Sequence, residues 1–259
     1  MSTGALEIHI ENACCTRLIG RENRTLVGPV SMEIKSDEFV SMIGPARCGK
    51  TTLLKMIAGI LPVTDGEIHF AGSEVHPPCR HFGLVLQHPA LLPWRTVTQN
   101  IMIHAKMCDL DPAESRNRAR RLLAWLGLTQ FEESWPKDLP TGTAHSIAVC
   151  RAMIHSPSLL LMDEPFRTLD PLALEQMLDG FQRLWAETGR TALLFTGNMQ
   201  EAVLLSDRVA VMSPPPGRIL ECITIDLPRP RRLDKKMTPL IAEYCNRIRT
   251  LYRAQGILP

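Results

Sequence analysis

The chain has 259 residues and a formal net charge of +2, and 45 % of its residues are apolar while 22 % are charged. This length suits one large domain or a core domain with a smaller insertion, and the composition is ordinary for a globular protein. A charge this close to neutral argues against nucleic acid as the main partner. No apolar run reaches the roughly 20 residues that span a bilayer, and the polar start MSTGALEIHIEN is not typical of a signal peptide. We therefore expect a cytoplasmic protein whose contact with a membrane comes through a partner.

The eight cysteines raise the question of a metal site or a disulfide framework. None of them forms a C-x-x-C pair, and the adjacent Cys14 and Cys15 cannot chelate as such a pair does. Free cysteine in a cytosolic chain is mostly a small buried hydrophobe. We therefore expect buried thiols rather than a zinc site.

The first part of the chain is rich in predicted strands. Apolar residues at every second position predict strands at residues 6–10 and 30–34, and the apolar run at residues 39–44 predicts a strand that ends in glycine. Residues 50–60 are predicted to form a helix, and residues 81–87 a buried strand.

A helical block follows. The segment DPAESRNRARRLLAWLGL has Asp111 as a predicted N-cap, Pro112 in the first turn, Glu114 three residues after the cap and Gly127 at its end. Its arginines are expected on a solvated helix face. They are Arg116, Arg118, Arg120 and Arg121.

After LPTGT, predicted strands and helices alternate: SLLLMDE, a helix over residues 171–187, TALLFT, a helix from Gln200, and RVAVM. This alternation predicts a mostly parallel sheet with helices on its faces. The segment DLPRPRRLDKK is predicted to be an extended, solvated linker before a helix near residues 239–253.

The segment GPARCGKT fits the pattern G-x-x-x-x-G-K-[ST] between a predicted strand and a predicted helix. In such a loop, backbone N–H groups surround phosphates, Lys50 reaches the outer phosphates and the Thr51 hydroxyl ligates Mg²⁺. A chance glycine turn is the alternative, and the strand–loop–helix context argues against it. The candidate nucleotide-binding residues are Gly44, Pro45, Ala46, Arg47, Cys48, Gly49, Lys50, Thr51 and Thr52.

A second acidic motif, LLLMDE, ends an apolar strand in two carboxylates. Asp163 is predicted on the magnesium side, and Glu164 can polarise an attacking water. An acidic strand end is common by itself, but downstream of a phosphate loop it indicates Mg-ATP as the ligand.

Three further segments narrow the class of protein. They are VLQHPALLPWRTVTQNI, with Gln87 at the end of a strand, DEPFRTLDPLALEQ, and EAVLLSDRVAVMSPPPGRI followed by DLPRPR. Together with the phosphate loop and the acidic strand end, this ordered set resembles ABC transporter ATPase subunits, and within them the branch that serves nitrate, sulfonate and taurine importers. The resemblance runs from about residue 5 to beyond residue 230.

The resemblance implies an α/β P-loop NTPase fold of the ABC type, with a mixed, largely parallel core sheet, an N-terminal antiparallel β-subdomain and a helical subdomain. It implies an ATP-binding domain over residues 1–235, with the helical subdomain at about residues 88–157, and a C-terminal helical extension over residues 236–259.

The resemblance also implies the roles of several residues. Two such subunits close head to tail, and each ATP lies between one phosphate loop and the signature segment of the partner. Thr51, Gln87 and Asp163 are then the Mg²⁺ ligands, and Glu164 and Gln87 are the catalytic residues. Gln87 also links ATP to the membrane subunits, and Asp170 touches the opposite site across the dimer.

The signature segment departs from the family pattern L-S-G-G-[QM]. It reads Leu139, Pro140, Thr141, Gly142, Thr143. Pro140 has neither a hydroxyl nor an N–H, and Thr141 places a β-branched side chain where glycine lets the backbone approach phosphate. Because a hydrogen bond to a charged group is worth about 1.5–3 kcal/mol, losing one or two predicts closure on ATP weakened at least about tenfold.

The switch segment departs as well. FTGNMQEA has Gly197 where relatives have histidine, and Asn198 where they have aspartate. Glycine cannot contact the γ-phosphate as that histidine does. His88 and His145 lie in other motifs and are not expected to replace it.

Two milder departures concern the nucleotide-binding residues. No aromatic residue precedes Phe39 to stack on adenine, and Arg17 stands at about that place, where its guanidinium plane can stack. Arg47 occupies a loop position that is glycine in relatives, so a positive φ there would be strained.

The leading hypothesis is the ATP-binding, energy-coupling subunit of an importer for nitrate, sulfonate, taurine or a similar small solute, with weakened ATP hydrolysis. Its expected partners are membrane-spanning permease subunits, a second ATPase subunit in a heterodimer rather than a homodimer and, indirectly, a periplasmic or lipoprotein solute-binding protein. Its expected place is the inner face of the plasma membrane. The alternative is a catalytically inactive, structural or regulatory nucleotide-binding subunit. A soluble ABC protein of repair, translation or cluster assembly is a third hypothesis, which the single domain with LLPW and VMSPPPGRI disfavours.

Overall fold

The computed structural model describes residues 6–20, 22–75, 82–140 and 142–257. The chain divides into a first unit, residues 1–80 and 191–259, and a second unit, residues 81–190. In chain order the strands and helices are β1 (Leu6–Ile19), β2 (Glu22–Lys35), β3 (Phe39–Ile43), α1 (Lys50–Ile57), β4 (Asp65–Phe70), β5 (Ser73–Glu74), β6 (Phe82–Val85), α2 (Val97–Met107), α3 (Pro112–Trp125), α4 (Thr143–Met153), β7 (Leu159–Asp163), α5 (Pro171–Thr188), β8 (Thr191–Thr196), α6 (Met199–Leu205), β9 (Arg208–Met212), β10 (Ile219–Thr224) and α7 (Met237–Ala254). None of the helices in the described ranges combines the length and the apolar character that a membrane span requires.

The first unit contains an antiparallel sheet with the strand order β2-β1-β4-β5. In β2, Val30, Met32 and Ile34 are buried and alternate with exposed residues. This is the pattern of a sheet with one face on the core and one face in solvent. It confirms the strand predicted at residues 30–34 and the N-terminal antiparallel sheet that the resemblance implied.

The first unit also contains parallel pairing. β3 pairs in parallel with β8 and with β9, and β10 runs antiparallel to β9. Every residue of β3 and β8 is buried, as expected for strands that are covered on both faces. The mostly parallel sheet predicted from the alternation of strands and helices is thus confirmed, as is the mixed core sheet that the resemblance implied.

The second unit contains the parallel strands β6 and β7 together with helices α2, α3, α4 and α5. The predicted start of α3 is confirmed, because the Asp111 carboxylate accepts the N–H of Glu114 at 2.7 Å and Pro112 lies in the first turn. Gly127, just beyond the helix, has a φ of 69°.

One arginine of α3 is not part of a solvated face. The side chain of Arg118 donates from Nε and Nη2 to the carbonyl oxygen of Met153, at 3.3 and 3.2 Å. Met153 is the last residue of α4, and its carbonyl oxygen also accepts the N–H of Ser156 at 3.1 Å. The carbonyl end of a helix favours a cation. Burial and the neighbouring Arg121 and Arg190 lower the pKa of Arg118. The prediction of a solvated side chain was therefore wrong for Arg118.

The predicted solvated linker DLPRPRRLDKK is also partly wrong. The guanidinium of Arg231 is 2 % exposed and donates to the carbonyl oxygens of Val203 at 2.7 Å and Ser206 at 2.5 Å. Arg229 donates to the carbonyl oxygen of Leu205 at 2.6 Å. The two arginines thus satisfy carbonyls at the end of α6 that the helix leaves unpaired. The helix expected near residues 239–253 is confirmed as α7.

Candidate functional site

The predicted phosphate loop lies between β3 and α1 in the first unit. Lys50 is the first residue of α1 and is only 7 % exposed. Its Nζ donates to the carbonyl oxygens of Gly44 at 2.8 Å and Pro45 at 3.2 Å. A buried ammonium is therefore held against the backbone of its own loop, where it can serve as a point charge for phosphate.

Gly49 shapes the junction between this loop and α1. Its φ is 99°, and an added Cβ would lie 2.0 Å from Cγ2 of Val27 and 2.8 Å from the carbonyl oxygen of Leu26. Only glycine fits this combination of left-handed backbone and close packing. The first turn of α1, including Thr51, is thereby oriented with its N–H groups at the loop.

Arg47 has a φ of 64°. This is the left-handed conformation that the sequence indicated would be strained for a residue other than glycine. Its side chain is exposed, whereas Cys48 is 1 % exposed. The loop thus keeps the backbone shape that glycine favours although arginine occupies the position.

The loop fits the phosphates of Mg-ATP. It offers a buried ammonium at Lys50, a helix N-terminus and a hydroxyl at Thr51, which are a cation, a set of backbone donors and a hard oxygen ligand. Arg17, the candidate for stacking on adenine, lies on β1 opposite Arg24 of β2 and is exposed.

The switch segment lies at the end of β8 in the first unit. Gly197 is exposed and has no side chain to offer a phosphate. Asn198 is the N-cap of α6, where its Oδ1 accepts the N–H of Gln200 at 2.9 Å and of Glu201 at 3.4 Å. Glu201 in turn accepts the hydroxyl of Thr196 at 2.8 Å. The segment therefore begins α6 with a side-chain cap.

The two predicted acids lie at the end of β7 in the second unit. Asp163 is the last residue of the strand and is 1 % exposed. Glu164 follows with a φ of 48°, so the chain turns sharply directly after the strand. A turn continues to Leu169, whose N–H donates to the carbonyl oxygen of Phe166 at 3.1 Å.

Gln87 lies two residues beyond β6 in the same unit and is half-buried. Its carbonyl oxygen is 2.9 Å from Nε2 of His145 on α4. Farther along this segment, Arg151 of α4 donates to the carbonyl oxygens of Pro89 at 2.7 Å and Ala90 at 2.9 Å. α4 therefore contacts the segment that carries Gln87 at two places.

The signature segment leads into α4, which begins at Thr143 with Gly142 as its N-cap, and no described side chain caps it. The N–H of Thr143 donates to Pro140 at 3.2 Å, and that of His145 donates to Gly142 at 3.0 Å. Gly142 has a φ of 86°, and an added Cβ would lie 2.3 Å from Cδ2 of Leu169. Two donors at the start of this helix are thus already in use.

Leu139 and Thr141 are the two other positions of the signature segment. Leu139 donates its N–H to Pro136 at 3.4 Å, and Thr141 lies outside the described residues. Asp170, for which a contact across a dimer is predicted, has a local role in the structure. Its Oδ1 accepts the N–H of Ala173 at 3.0 Å in the first turn of α5.

Each unit thus assembles its own share of the predicted residues. The first unit holds the phosphate loop, Arg17 and Gly197, and the second holds Gln87, the two acids, the signature segment and Asp170. Two residues that contact the Gln87 segment, His145 and Arg151, were not among the predicted site residues. Their only sequence signal is their position on the helix that follows the signature segment.

Comparison with known proteins identifies the family of the chain. Residues 27–167 match the family model described as ABC transporter. The chain is 40 % identical to the taurine import ATP-binding protein TauB of Jannaschia sp. (strain CCS1), over 73 % of this chain and 71 % of that protein. It is 37 % identical to the aliphatic sulfonates import ATP-binding protein SsuB 1 of Xanthomonas axonopodis pv. citri (strain 306), over 89 % of this chain and 90 % of that protein.

A similar solved structure is the dimeric structure of a bacterial ABC transporter cassette, with a TM-score of 0.76 and 25 % identity over 85 % of this chain and 99 % of that chain. The phosphate loop, the acidic strand end and these similarities lead to one conclusion. The chain belongs to the ABC transporter family and has the α/β fold of its ATPase cassettes.

Proposed function

We propose that this chain is the ATP-binding, energy-coupling subunit of an importer for taurine, an aliphatic sulfonate, nitrate or a similar small solute. The observation that carries the proposal is the buried ammonium of Lys50, held in a glycine-dependent loop between β3 and α1. The names of the relatives, taurine and sulfonate import ATP-binding proteins, support the solute class.

The proposed roles follow the chemistry of the side chains. Residues 44–52 hold the phosphates, and Arg17 lies against the adenine. Thr51, Asp163 and Gln87 ligate Mg²⁺, and Glu164 with Gln87 orients and polarises the attacking water. Mg-ATP, when bound, supplies the phosphoanhydride bond whose hydrolysis yields the free energy for transport.

We also propose that hydrolysis by this subunit is weak. Pro140 has no N–H, and the N–H groups of Thr143 and His145 already have backbone partners, so the start of α4 has few donors left for a phosphate. Gly197 offers no side chain at the switch position. These features concern the γ-phosphate, whereas Lys50 and Thr51 are retained.

The proposed assembly contains permease subunits, a second and better-equipped ATPase subunit in a heterodimer and, indirectly, a solute-binding protein, on the inner face of the plasma membrane. In it, Asp170 contacts the opposite nucleotide site, and the signature segment covers the nucleotide of the partner. Within the chain, the proposed divisions are an ATP-binding domain over residues 1–235, its helical subdomain at about residues 88–157, and an extension over residues 236–259. Purification of the intact membrane complex with subunit counting tests this assembly, and a homodimer would contradict it.

Nucleotide binding and turnover by the purified full chain test the ATPase proposal. We expect fluorescent MANT-ATP to bind with Mg²⁺ and slow hydrolysis that stops in Glu164→Gln. Absence of binding would overturn the proposal. Brisk hydrolysis by the chain alone, abolished by Glu164→Gln, would overturn only the weakened activity.

The second candidate function is a nucleotide-binding structural or regulatory subunit without useful turnover. The engaged donors at the start of α4 and the bare Gly197 favour it. The combined repair Pro140→Ser, Thr141→Gly and Gly197→His separates the two functions in the assembled transporter. Transport that changes neither on repair nor with Glu164→Gln supports the inactive subunit.

A further inference from the structure

The imidazole of His145 connects three segments of the second unit. His145 lies in the first turn of α4 and is 5 % exposed. Its Nε2 is 2.9 Å from the carbonyl oxygen of Gln87, and its Nδ1 is 3.2 Å from the hydroxyl oxygen of Thr168. We call these three residues the His145 junction. It joins the segment after β6, the start of α4 and the turn after β7.

The partners of the ring define its hydrogen bonding. A backbone carbonyl can only accept, so Nε2 carries the proton and donates to Gln87. In the neutral ring, Nδ1 is then an acceptor, and the hydroxyl of Thr168 can donate to it. Both nitrogens of a buried ring are thereby satisfied, which a side chain with only a donor or only an acceptor cannot reproduce.

Arg151 holds the same segment from farther along α4. Six positions separate it from His145, which is about 9 Å along a helix. Its guanidinium donates to Pro89 and Ala90, in a stretch that belongs to neither a helix nor a strand. The backbone of residues 87–90 therefore takes its position from side chains of α4 rather than from a ladder of its own.

The turn on the other side of the junction carries the acids. Thr168 lies four positions after Glu164 and two before Asp170, and Leu169 between them lies against Gly142. A shift of Gln87 must therefore either break its bond to His145 or move together with α4 and this turn. A small junction of this kind can keep three functional segments in one relative orientation.

We propose that His145 is a positioning residue, which sets the orientation of Gln87 relative to the start of α4 and to the turn that follows Asp163 and Glu164. The inference rests on the proposed function, because the role of Gln87 toward Mg²⁺ belongs to it. His145 acts through Gln87 and does not itself bind nucleotide.

The test measures MANT-ATP affinity of the full chain with excess Mg²⁺ and, separately, with EDTA. Loss of one or two hydrogen bonds in His145→Leu is expected to reduce the gain in affinity due to Mg²⁺ about tenfold and to change binding in EDTA by less than about twofold. His145→Gln should restore the gain, because its carboxamide can donate to Gln87 and accept from Thr168. His69→Leu on β4, in the first unit, is the matched control and should behave as wild type.

A double-mutant cycle separates positioning from general stability. If His145 acts through Gln87, His145→Leu should have no further effect on Mg²⁺-dependent binding in a Gln87→Ala background. Thr168→Val removes the hydroxyl that bonds to His145. It should reduce the gain in MANT-ATP affinity due to Mg²⁺ about threefold, since a single neutral hydrogen bond is lost. If His145→Leu does not fold, Thr168→Val provides the test, and an unchanged gain in affinity due to Mg²⁺ would then contradict the proposal.

Hydrogen exchange gives a readout that needs no nucleotide. Amides of residues 86–92 should exchange faster in His145→Leu than in wild type or His145→Gln. Wild-type behaviour of His145→Leu in both measurements, equal damage by His145→Gln, or full additivity with Gln87→Ala would overturn the inference. If the wild-type chain binds no MANT-ATP and Lys50→Ala changes nothing, the proposed function itself fails.

Discussion

Two loop–helix junctions of this chain share a backbone shape and differ in what they offer an anion. α1 begins after Gly49, with a φ of 99°, and α4 begins after Gly142, with a φ of 86°; neither helix has a capping side chain among the described residues. Helix N-termini of this form direct N–H groups and the positive end of the helix dipole at a ligand. Backbone shape alone therefore favours anion binding at both.

The two junctions differ in their side chains and in the backbone N–H groups that they can offer a ligand. The junction before α1 adds the buried ammonium of Lys50. At α4, Pro140 has no N–H, and the N–H groups of Thr143 and His145 donate to the carbonyl oxygens of Pro140 and Gly142. The buried ammonium therefore makes the junction before α1 the better candidate for a phosphate site.

The largest effect is expected when the charge at the junction before α1 is removed. Lys50→Ala should weaken Mg²⁺-dependent MANT-ATP binding at least about 100-fold, because hydrogen bonds to charged groups are worth about 1.5–3 kcal/mol each. Lys55→Ala, on the same helix, is the matched control and should stay within about twofold. Equal losses in the two variants would mean that helix stability, rather than the ammonium, controls binding.

The second prediction restores donors to the other junction. Pro140→Ser combined with Thr141→Gly should raise ATP turnover of the assembled transporter about tenfold, through one or two regained hydrogen bonds to phosphate. Pro140→Ala restores the N–H without the hydroxyl and should give a smaller increase. Unchanged turnover in all these variants would contradict the idea that the start of α4 limits hydrolysis.

A third helix start, that of α6, extends the comparison because a side chain caps it. Asn198→Ala should lower the free energy of unfolding by about 1 kcal/mol, the usual value of an N-cap, as measured by urea denaturation. Asn198→Ser keeps an N-cap acceptor and should lose less stability than the alanine variant, although it also lacks the bond that Nδ2 of Asn198 donates to Glu201 at 2.9 Å. If the alanine variant is as stable as wild type, the Asn198 cap does not contribute to the free energy of unfolding.

The smallest expected effect is a dependence of folding stability on pH, caused by His104 of α2 in the second unit. The rings of His104 and His155 stack with centroids 4.3 Å apart, and burial, followed by the charge of Arg151, lowers the pKa of His104. The unfolded chain therefore binds the proton more tightly, so stability is complete above the unfolded pKa of about 6.5 and falls as the pH drops through it.

Thermal melting between about pH 7.5 and 5.5 measures this effect. The melting temperature of the wild type should fall on acidification, and the fall should be smaller in His104→Gln. His88→Gln, at an exposed position, is the control and should keep the wild-type dependence. Identical slopes for wild type and His104→Gln would contradict the assignment.

Several elements could be predicted because their signals are local. The apolar run of β3, the glycine before α1 with the lysine that begins the helix, and the cap at Asp111 each lie within a few residues of the element they define. The positive φ of Arg47 also corresponds to an expectation drawn from one position. Periodicity, caps and glycine turns are short-range features, so the linear order of residues is enough to read them.

Other features depend on residues that are far apart along the chain. Arg118 contacts a carbonyl 35 positions away, and Arg231 reaches the end of α6 from 28 positions away. No sequence motif indicates either contact, so the sequence alone predicted that both arginines are solvated. Burial forces such cations to find carbonyls, and only the packed chain decides which carbonyls are within reach.

The local order of residues was thus sufficient to identify the family, and it also predicted the phosphate loop, the acidic strand end and the altered signature and switch segments. Packing decided that the donors at the start of α4 are in use, that Leu169 lies against Gly142, and that His145 binds Gln87 across 58 positions. The physical reason is that hydrogen bonds and close contacts depend on positions in space, whereas a motif reports only spacing along the chain.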